Sequence, residues 1–387
     1  MSQVRLYLDY NATSPLSHSV IDYLRGGDLL FANPSSQHSD GKAARKIINE
    51  SRQVIYDVFK KNPKDTKLFF HSGATEAVST FVFSYVEWAR RENRELLICL
   101  SELDHPCVNT LRERFLGNHV RFFELKRDEE LRYLYHENFS ALQKEKEQNP
   151  ELIILYHHLW VHNETGQVED LENLQELKKI KDLYIHVDAV QAPGKTSHWN
   201  ELVAGDIWTF SAHKFGALKG VGFSFFRGDL EFFPMIQGGG QQGNLRSGTE
   251  NALGVKTVSL ALKDLEKVDV SKTAQMRSRL LSFLLKELSG IGGVVSSGKM
   301  ASNTIYFYLN DLTSDIALAL FDLNGIEISA GSACSSGAAK DSLILVHKNL
   351  KGVTKNGLRI SLPFEVSEEL LEITMKKMTQ IFLKLKS

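Results

Sequence analysis

The chain has 387 residues, with 46 basic residues against 47 acidic ones, 42% hydrophobic and 24% charged. At roughly 150 residues per domain this length suits two domains with large buried cores. The cancelled charge argues against nucleic acid or an anionic membrane surface as a partner. Met1 to Tyr10 has no apolar signal core, and no stretch approaches the ~20 apolar residues of a membrane span. Three cysteines, Cys99, Cys107 and Cys334, are too few for a disulfide framework, so a reducing cytoplasm is the expected location.

From about Asn62 to Phe226, short apolar runs alternate with helical patterns. Lys67–Phe70, Leu96–Leu100, Val120–Leu125, Leu152–Tyr156, Tyr184–Val187, Ile207–Phe210 and Val221–Phe226 read as strands. Amphipathic segments such as Ala74 to Arg91 and Leu171 to Lys181 lie between them. This alternation predicts an α/β fold, a mostly parallel sheet covered by helices on both faces. The polar stretch Gln143 to Pro150 reads as a helix end and turn.

After Gly238-Gly239-Gly240 the texture changes. Helical patterns run from about Glu250 to Val268 and Lys272 to Leu288. A strand-like run, Thr304 to Leu309, follows, then a helix through Ala317 to Leu323 and a last helix from Val366 to Lys384. The expected organisation is an N-terminal arm over 1–15 packing with a small domain, a large domain over 16–259, and a smaller α+β domain over 260–387.

Three short motifs follow predicted strands. Ser72-Gly73-Ala74-Thr75-Glu76 opens a helix, where unpaired backbone N–H groups and the positive dipole end make a phosphate cradle. Gly73 permits close approach and the Thr75 hydroxyl can add a bond, although Ser and Thr are also ordinary helix caps. Asp188, in Val187-Asp188-Ala189-Val190-Gln191, ends an apolar run, and strand ends are where open α/β sheets bind ligands. Acids also end strands because loops are wet, and Gln191 reaches either a ligand oxygen or solvent. Ser211-Ala212-His213-Lys214 ends another run. Alone, Lys214 reads as a surface lysine, and Ser211 and His213 mean little. Together the motifs set an acid, an amine and a phosphate cradle on one sheet edge, as a pyridoxal 5'-phosphate enzyme requires. The amine condenses with the cofactor aldehyde, and the carboxylate keeps the pyridine nitrogen protonated so that the ring accepts electrons.

The order of motifs along nearly the whole chain resembles the class V branch of the fold type I (aspartate aminotransferase-like) pyridoxal-phosphate enzymes. Within that branch it is similar to cysteine desulfurases of the NifS/IscS type. The likeness is carried by Tyr7-Leu8-Asp9-Tyr10-Asn11-Ala12-Thr13, Asn33-Pro34-Ser35-Ser36, Ser72 to Glu76, Asp104-His105-Pro106 and Asn163-Glu164-Thr165-Gly166. It continues through Val187 to Gln191, Ser211 to Lys214, Arg246-Ser247-Gly248-Thr249, Ser332 to Gly337 and Leu358-Arg359-Ile360-Ser361. The resemblance implies a cofactor held by Gly73, Ala74, Thr75, His105, Asn163, Asp188, Gln191, Ser211, His213 and Lys214. Thr249 would reach across a homodimer interface to the neighbouring subunit's phosphate. His105 would stack on the ring and act as an acid/base, for which its pKa suits it. Read by itself, His105 before Pro106 is a helix-start residue. Asn11, Asn33, Asn163 and Arg359 would bind substrate. The planar fork of Arg359 matches a carboxylate, or else a salt bridge at a strand end. No metal is expected.

Cys334 stands among small residues from Ala330 to Ala339, a composition suited to a loop that delivers a side chain. Cys99, within an apolar run, reads as a core thiol, and Cys107 is ambiguous between site and packing. The resemblance implies desulfuration of L-cysteine: Lys214 takes the Cα proton, and Cys334 attacks the substrate sulfur as thiolate and leaves as a persulfide. Alanine is the other product. The sulfur passes to an acceptor protein, such as an iron–sulfur scaffold or a sulfur carrier, for iron–sulfur cluster assembly or tRNA thiolation. Alternatives on the same fold are a selenocysteine lyase or another class V aminotransferase or lyase. An alternative of another class is a catalytically silent scaffold, against which the joint presence of Lys214, Asp188 and His105 argues. Four positions depart from the family pattern: His71, His162, Gln242 and the run Ser342-Leu343-Ile344-Leu345. None removes a group the chemistry needs.

Overall fold

Seven of the apolar runs pair into one sheet, and later, shorter ones build a second. A computed structural model describes residues 5–27, 31–115, 117, 119–331 and 341–386. Strands are numbered in chain order from β1 (Leu6–Tyr7). The large sheet holds β2 (Thr66–His71), β3 (Leu96–Leu100), β4 (Val120–Glu124), β5 (Ile153–Leu159), β6 (Leu183–Asp188), β7 (Ile207–Ser211) and β8 (Gly222–Arg227). Its order is β2-β8-β7-β6-β5-β3-β4, and every pair is parallel except the two made by β8. Central parallel strands lie under helices on both faces, so they read as continuous apolar runs. Accordingly β3 and β5 are buried at every position.

On one face the helix Ala74–Arg91 buries Ala77, Val78, Phe81 and Tyr85 in a cluster with Phe69, Ile98, Ile153 and Phe226. On the other, the helices Ser39–Val58 and Ala252–Leu265 bury Ile48, Ile55, Val258 and Leu262 in a cluster with Trp208, Phe223 and Phe225. The segment expected as an amphipathic helix at 171–181 folds instead as two 3-10 turns, Leu171–Gln175 and Leu177–Lys179. The reason is visible in its apolar residues. Leu171, Leu174, Leu177 and Ile180 recur every third position, the period of a 3-10 turn and not the 3.6 of an α-helix.

The second sheet is antiparallel, in the order β12 (Ser329–Ala330), β13 (Gly357–Ser361), β10 (Thr304–Leu309) and β9 (Gly292–Val295). Beside it β1 pairs in parallel with β11 (Ile326–Glu327). Leu6 and Leu8 enter the core that this sheet forms with the helices Val270–Glu287, Ser314–Leu323 and Glu368–Lys386. The helix Ala252–Leu265 runs across residue 260 and packs in the large-sheet core along its length. The expected boundary at 259/260 therefore falls inside a helix, and after β1 the next helix to enter the second core is Val270–Glu287. Among the described residues no helix is long and apolar enough to cross a membrane.

Candidate active site between the two sheets

The ends of β6 and β7, the loops after β3 and β5, the start of the helix Ala74–Arg91 and the middle of β13 converge on a cavity of about 530 Å³. Asn11, Gly73, Ala74, Thr75, His105, Asn163, Asp188, Gln191, Ser211, His213, Lys214 and Arg359 all line it. Thr249 does not. It is exposed beside a separate cavity of about 70 Å³ that it shares with Ser72 and Gly220. Asn33, expected to bind substrate, does not line this cavity either; its short side chain is folded onto its own turn. Asn33 is exposed, and its Oδ1 accepts the Ser35 N–H at 2.9 Å. Cys334 and the rest of Ser332 to Gly337 lie outside the described residues.

Lys214 ends a 3-10 turn, Ala212–Lys214, that continues from β7. Its Nζ donates to the carbonyl oxygens of Asn11 and Ala12, each at 2.8 Å, so it points inward and not into solvent. Asp188 closes β6, is 4% exposed, and accepts the Val190 N–H at 3.0 Å. Burial pushes its carboxyl up to about 6, with the Lys214 ammonium pulling the other way. Gln191 is buried, which disposes of the solvent-facing reading. Its Nε2 donates to the Asn11 carbonyl at 3.0 Å, and its Oε1 accepts from Lys195 Nζ. Those two partners fix which end of the amide is which. Lys195 is 1% exposed, and burial holds its amine well below the usual lysine range. The sequence offered one hint of it, a lysine four residues after Gln191.

His105 is a helix-start residue that also lines the cavity. It caps the short helix Pro106–Asn109, its Nδ1 accepting the Cys107 N–H at 3.2 Å, and it lines the cavity. With Nδ1 engaged as an acceptor, the neutral ring carries its proton on Nε2. Burial and then Lys214 lower its pKa, which favours that neutral ring. Cys107 also lines the cavity, but burial pushes its thiol up to about 12, leaving little nucleophilic thiolate. Cys99 is wholly buried, as its apolar run predicted.

Arg359 reaches the cavity from β13, in the other sheet. Its Nη2 donates to Asp9 at 2.7 Å and its Nη1 to the Asn163 carbonyl at 3.0 Å, while its Nε has no partner among the described residues. The salt-bridge reading and the cavity reading of Arg359 thus coexist. Asn11 has its side chain engaged at both ends. Its Nδ2 donates to Thr304 Oγ1 at 2.8 Å and to the Asn163 carbonyl at 3.3 Å, and its Oδ1 accepts from Asn303 at 3.2 Å. Only its backbone carbonyl faces Lys214. His162, where the family pattern has asparagine, holds the turn after β5. Its Nδ1 accepts the N–H groups of Glu164 and Thr165 at 3.2 and 3.3 Å.

The helix start completes the site. The Ser72 N–H is capped by Glu76 at 2.8 Å, and Glu76 pairs with Arg246 at 2.9 Å, tying the Arg246–Thr249 segment to this helix. Arg246 had no assigned contact in the sequence. The first N–H groups of the helix have no intrahelical acceptor. A Cβ at Gly73 would find Ser211 Oγ as its nearest neighbour, at 3.7 Å, so the helix start opens on the cavity. An acid, an amine and an anion cradle around one cavity fit a pyridoxal phosphate.

Just before these lining residues, a hydrogen-bonded row of side chains crosses five adjacent strands. His157 Nδ1 meets His186 Nδ1 at 2.9 Å, and His186 Nε2 meets Thr209 Oγ1 at 2.9 Å. Thr209 Oγ1 then meets Ser224 Oγ at 3.0 Å, and Ser224 Oγ meets His71 Nε2 at 3.0 Å. His71, His157, His186 and Thr209 each sit one or two residues before a lining residue: Ser72, Leu159, Asp188 and Ser211. Burial keeps the imidazoles neutral, His71 at about 4 and His157 at about 3. His71 therefore stands where threonine is common as one end of a buried polar seam.

Fold and site together define a protein of the pyridoxal-phosphate transferase type. The chain belongs to the aminotransferase class-V family, whose model matches residues 6–373. It is 30% identical to the cysteine desulfurase IscS of Dictyoglomus turgidum, over 99% of this chain and 95% of that one. It is also 30% identical to an IscS-like cysteine desulfurase of Mycobacterium tuberculosis, over 92% and 91% of the two chains. In fold it is similar to a NifS-like protein, with a TM-score of 0.84 at 23% identity over 98% of this chain and 100% of that one.

Proposed function

We propose that the protein is a pyridoxal 5'-phosphate-dependent cysteine desulfurase, taking sulfur from L-cysteine and releasing L-alanine. The observation that carries this reading is the meeting of Lys214 and Asp188, from separate strands, with the helix start at Gly73 and with Arg359 in one cavity. When bound, the cofactor supplies an electron sink for the substrate's Cα–H and Cβ–S bonds. Lys214 holds it covalently and moves the Cα proton. Asp188, whose buried carboxyl is raised to about 6, would gain a cationic partner in the pyridine nitrogen and would keep that nitrogen protonated. Gly73, Ala74, Thr75, Ser211 and His213 would hold the phosphate, and Gln191, fixed by Lys195, and Asn163 would hold the rest of the cofactor. His105 would pack against the ring and act as acid/base through Nε2. Arg359 takes the substrate carboxylate on its remaining N–H groups. Cys334 attacks the substrate sulfur and carries it as a persulfide to an acceptor protein.

We further read the exposed Thr249 as a contribution to the phosphate site of a second copy in a homodimer. The small domain begins, in this reading, between Leu265 and Val270, with residues of the N-terminal arm packed in its core. A cytoplasmic location suits a thiol enzyme. The test is spectral and by mass. The purified protein should be yellow and bleach with borohydride, Lys214→Ala should be colourless, and cysteine should add one sulfur to Cys334. Full alanine formation by Cys334→Ala, with no bound sulfur in the wild type, would refute the desulfurase reading.

A further inference from the structure

Glu164 lies in the same cavity and has no part in the chemistry above. It follows Asn163 in the turn after β5, and His162 holds that turn through the Glu164 and Thr165 N–H groups. Its Oε2 is buried and has no hydrogen-bond partner among the described residues. Arg359 is the charged group that acts on it, yet the bonds Arg359 makes go to Asp9 and to the Asn163 carbonyl. From the second sheet, Tyr306 turns its hydroxyl to Ser342, and the Gly331 backbone presses on the carboxyl so closely that any Cβ there would collide with Oε2 and the Tyr306 ring. A buried, unpaired carboxylate is costly, and the neutral acid is the cheaper form. Burial accordingly pushes this carboxyl up to about 7, against the pull of Arg359. Among the described residues, therefore, this carboxyl has no acceptor for its proton, and it lies in the same cavity as Arg359, whose Nε–H also lacks a partner there.

We propose that Glu164 is a substrate-binding residue whose protonated carboxyl donates a hydrogen bond to the same substrate carboxylate that Arg359 holds. The inference rests on the amino-acid chemistry proposed for this cavity. Ionisation of Glu164 replaces the donor by a like charge facing the ligand, so binding is strongest below about 7 and weakens as the pH rises through that value. The other titratable groups packed against it, His162 on its own turn and Tyr306 on β10, are held neutral by burial across this range. Asp9 lies beyond Arg359, as its ion-pair partner.

L-Alanine, whose carboxylate does not titrate near neutrality, is the probe. Calorimetric Kd values for the holoenzyme should rise by about ten-fold or more between pH 6 and pH 8.5 in the wild type. Glu164→Gln, which keeps a neutral donor at every pH, should flatten that rise, and Glu164→Ala should bind weakly throughout. The ratio of Glu164→Gln to wild type cancels the titration of the ligand amine and of Lys214. In the infrared difference between wild type and Glu164→Gln, a protonated-carboxyl band should be present at pH 6 and gone at pH 8.5. Alanine bound with parallel pH profiles, or absence of that band, overturns the inference alone. Alanine bound by neither protein overturns the amino-acid reading and the inference with it.

Discussion

Substituting His71→Gln should alter how stability depends on pH more than stability at neutral pH. His71 is 4% exposed, its Nε2 bonds Ser224 at 3.0 Å, and burial holds its imidazole at about 4. Glu76 pulls that value back up, and Arg246 pushes it down. In the unfolded chain the ring protonates at about 6.5. The folded value is the depressed one, so the neutral ring favours the folded state. That contribution is complete above about 6.5 and is lost as the pH falls from there toward 4. Between pH 7 and pH 5 the unfolded chain takes up most of a proton at this site that the native chain refuses, a difference of about 2 kcal/mol. Glutamine cannot titrate, and its amide keeps a polar group near Ser224. The fall in unfolding free energy from pH 7 to pH 5, read from urea transitions, should therefore be about 2 kcal/mol smaller in the variant. Equal falls in the two proteins would show that His71 is not held neutral, and the account of the seam would fail.

Gln242→Glu should destabilise by about 1–3 kcal/mol. The amide of Gln242 both accepts the Phe70 N–H at 2.6 Å and donates to the Phe70 carbonyl at 2.9 Å, closing the open edge of β2. A carboxylate cannot donate, so an unchanged urea midpoint would contradict this role. Gly166→Ala should lose about 2–5 kcal/mol, combining left-handed backbone strain with overpacking. Gly166 has φ +76°, and a Cβ there would stand 2.5 Å from the Cβ of Thr304, the residue that anchors Asn11. A loss below about 1 kcal/mol would mean that the turn after β5 yields easily.

Much of the large sheet was legible because each of its strands is a short apolar run bounded by helix or turn patterns. Leu96–Leu100 and Ala74–Arg91 appear with the bounds their residues suggest. The second sheet was not, apart from Thr304–Leu309. Ser329–Ala330 has two residues, Gly292–Val295 opens on two glycines, and Gly357–Ser361 carries Arg359 at its centre, so none of them forms a continuous apolar run. At 171–181 the apolar spacing of three was present in the sequence, but it resembles a helical pattern closely enough to be read as one.

Lys214, Asp188 and the Gly73 turn could be found from sequence because open sheets gather ligand groups at the carboxyl ends of strands, and a strand end is a local feature. Arg359 meeting Asn163, Lys195 orienting Gln191 and the open carboxyl of Glu164 depend on how the two sheets abut. The row from His157 to His71 depends on the strand order β2-β8-β7-β6-β5, which joins residues as far as 153 positions apart. Local pattern determines which segments become strands and where they stop. Which strands become neighbours, and so which buried polar groups find partners, is decided only when the whole core packs.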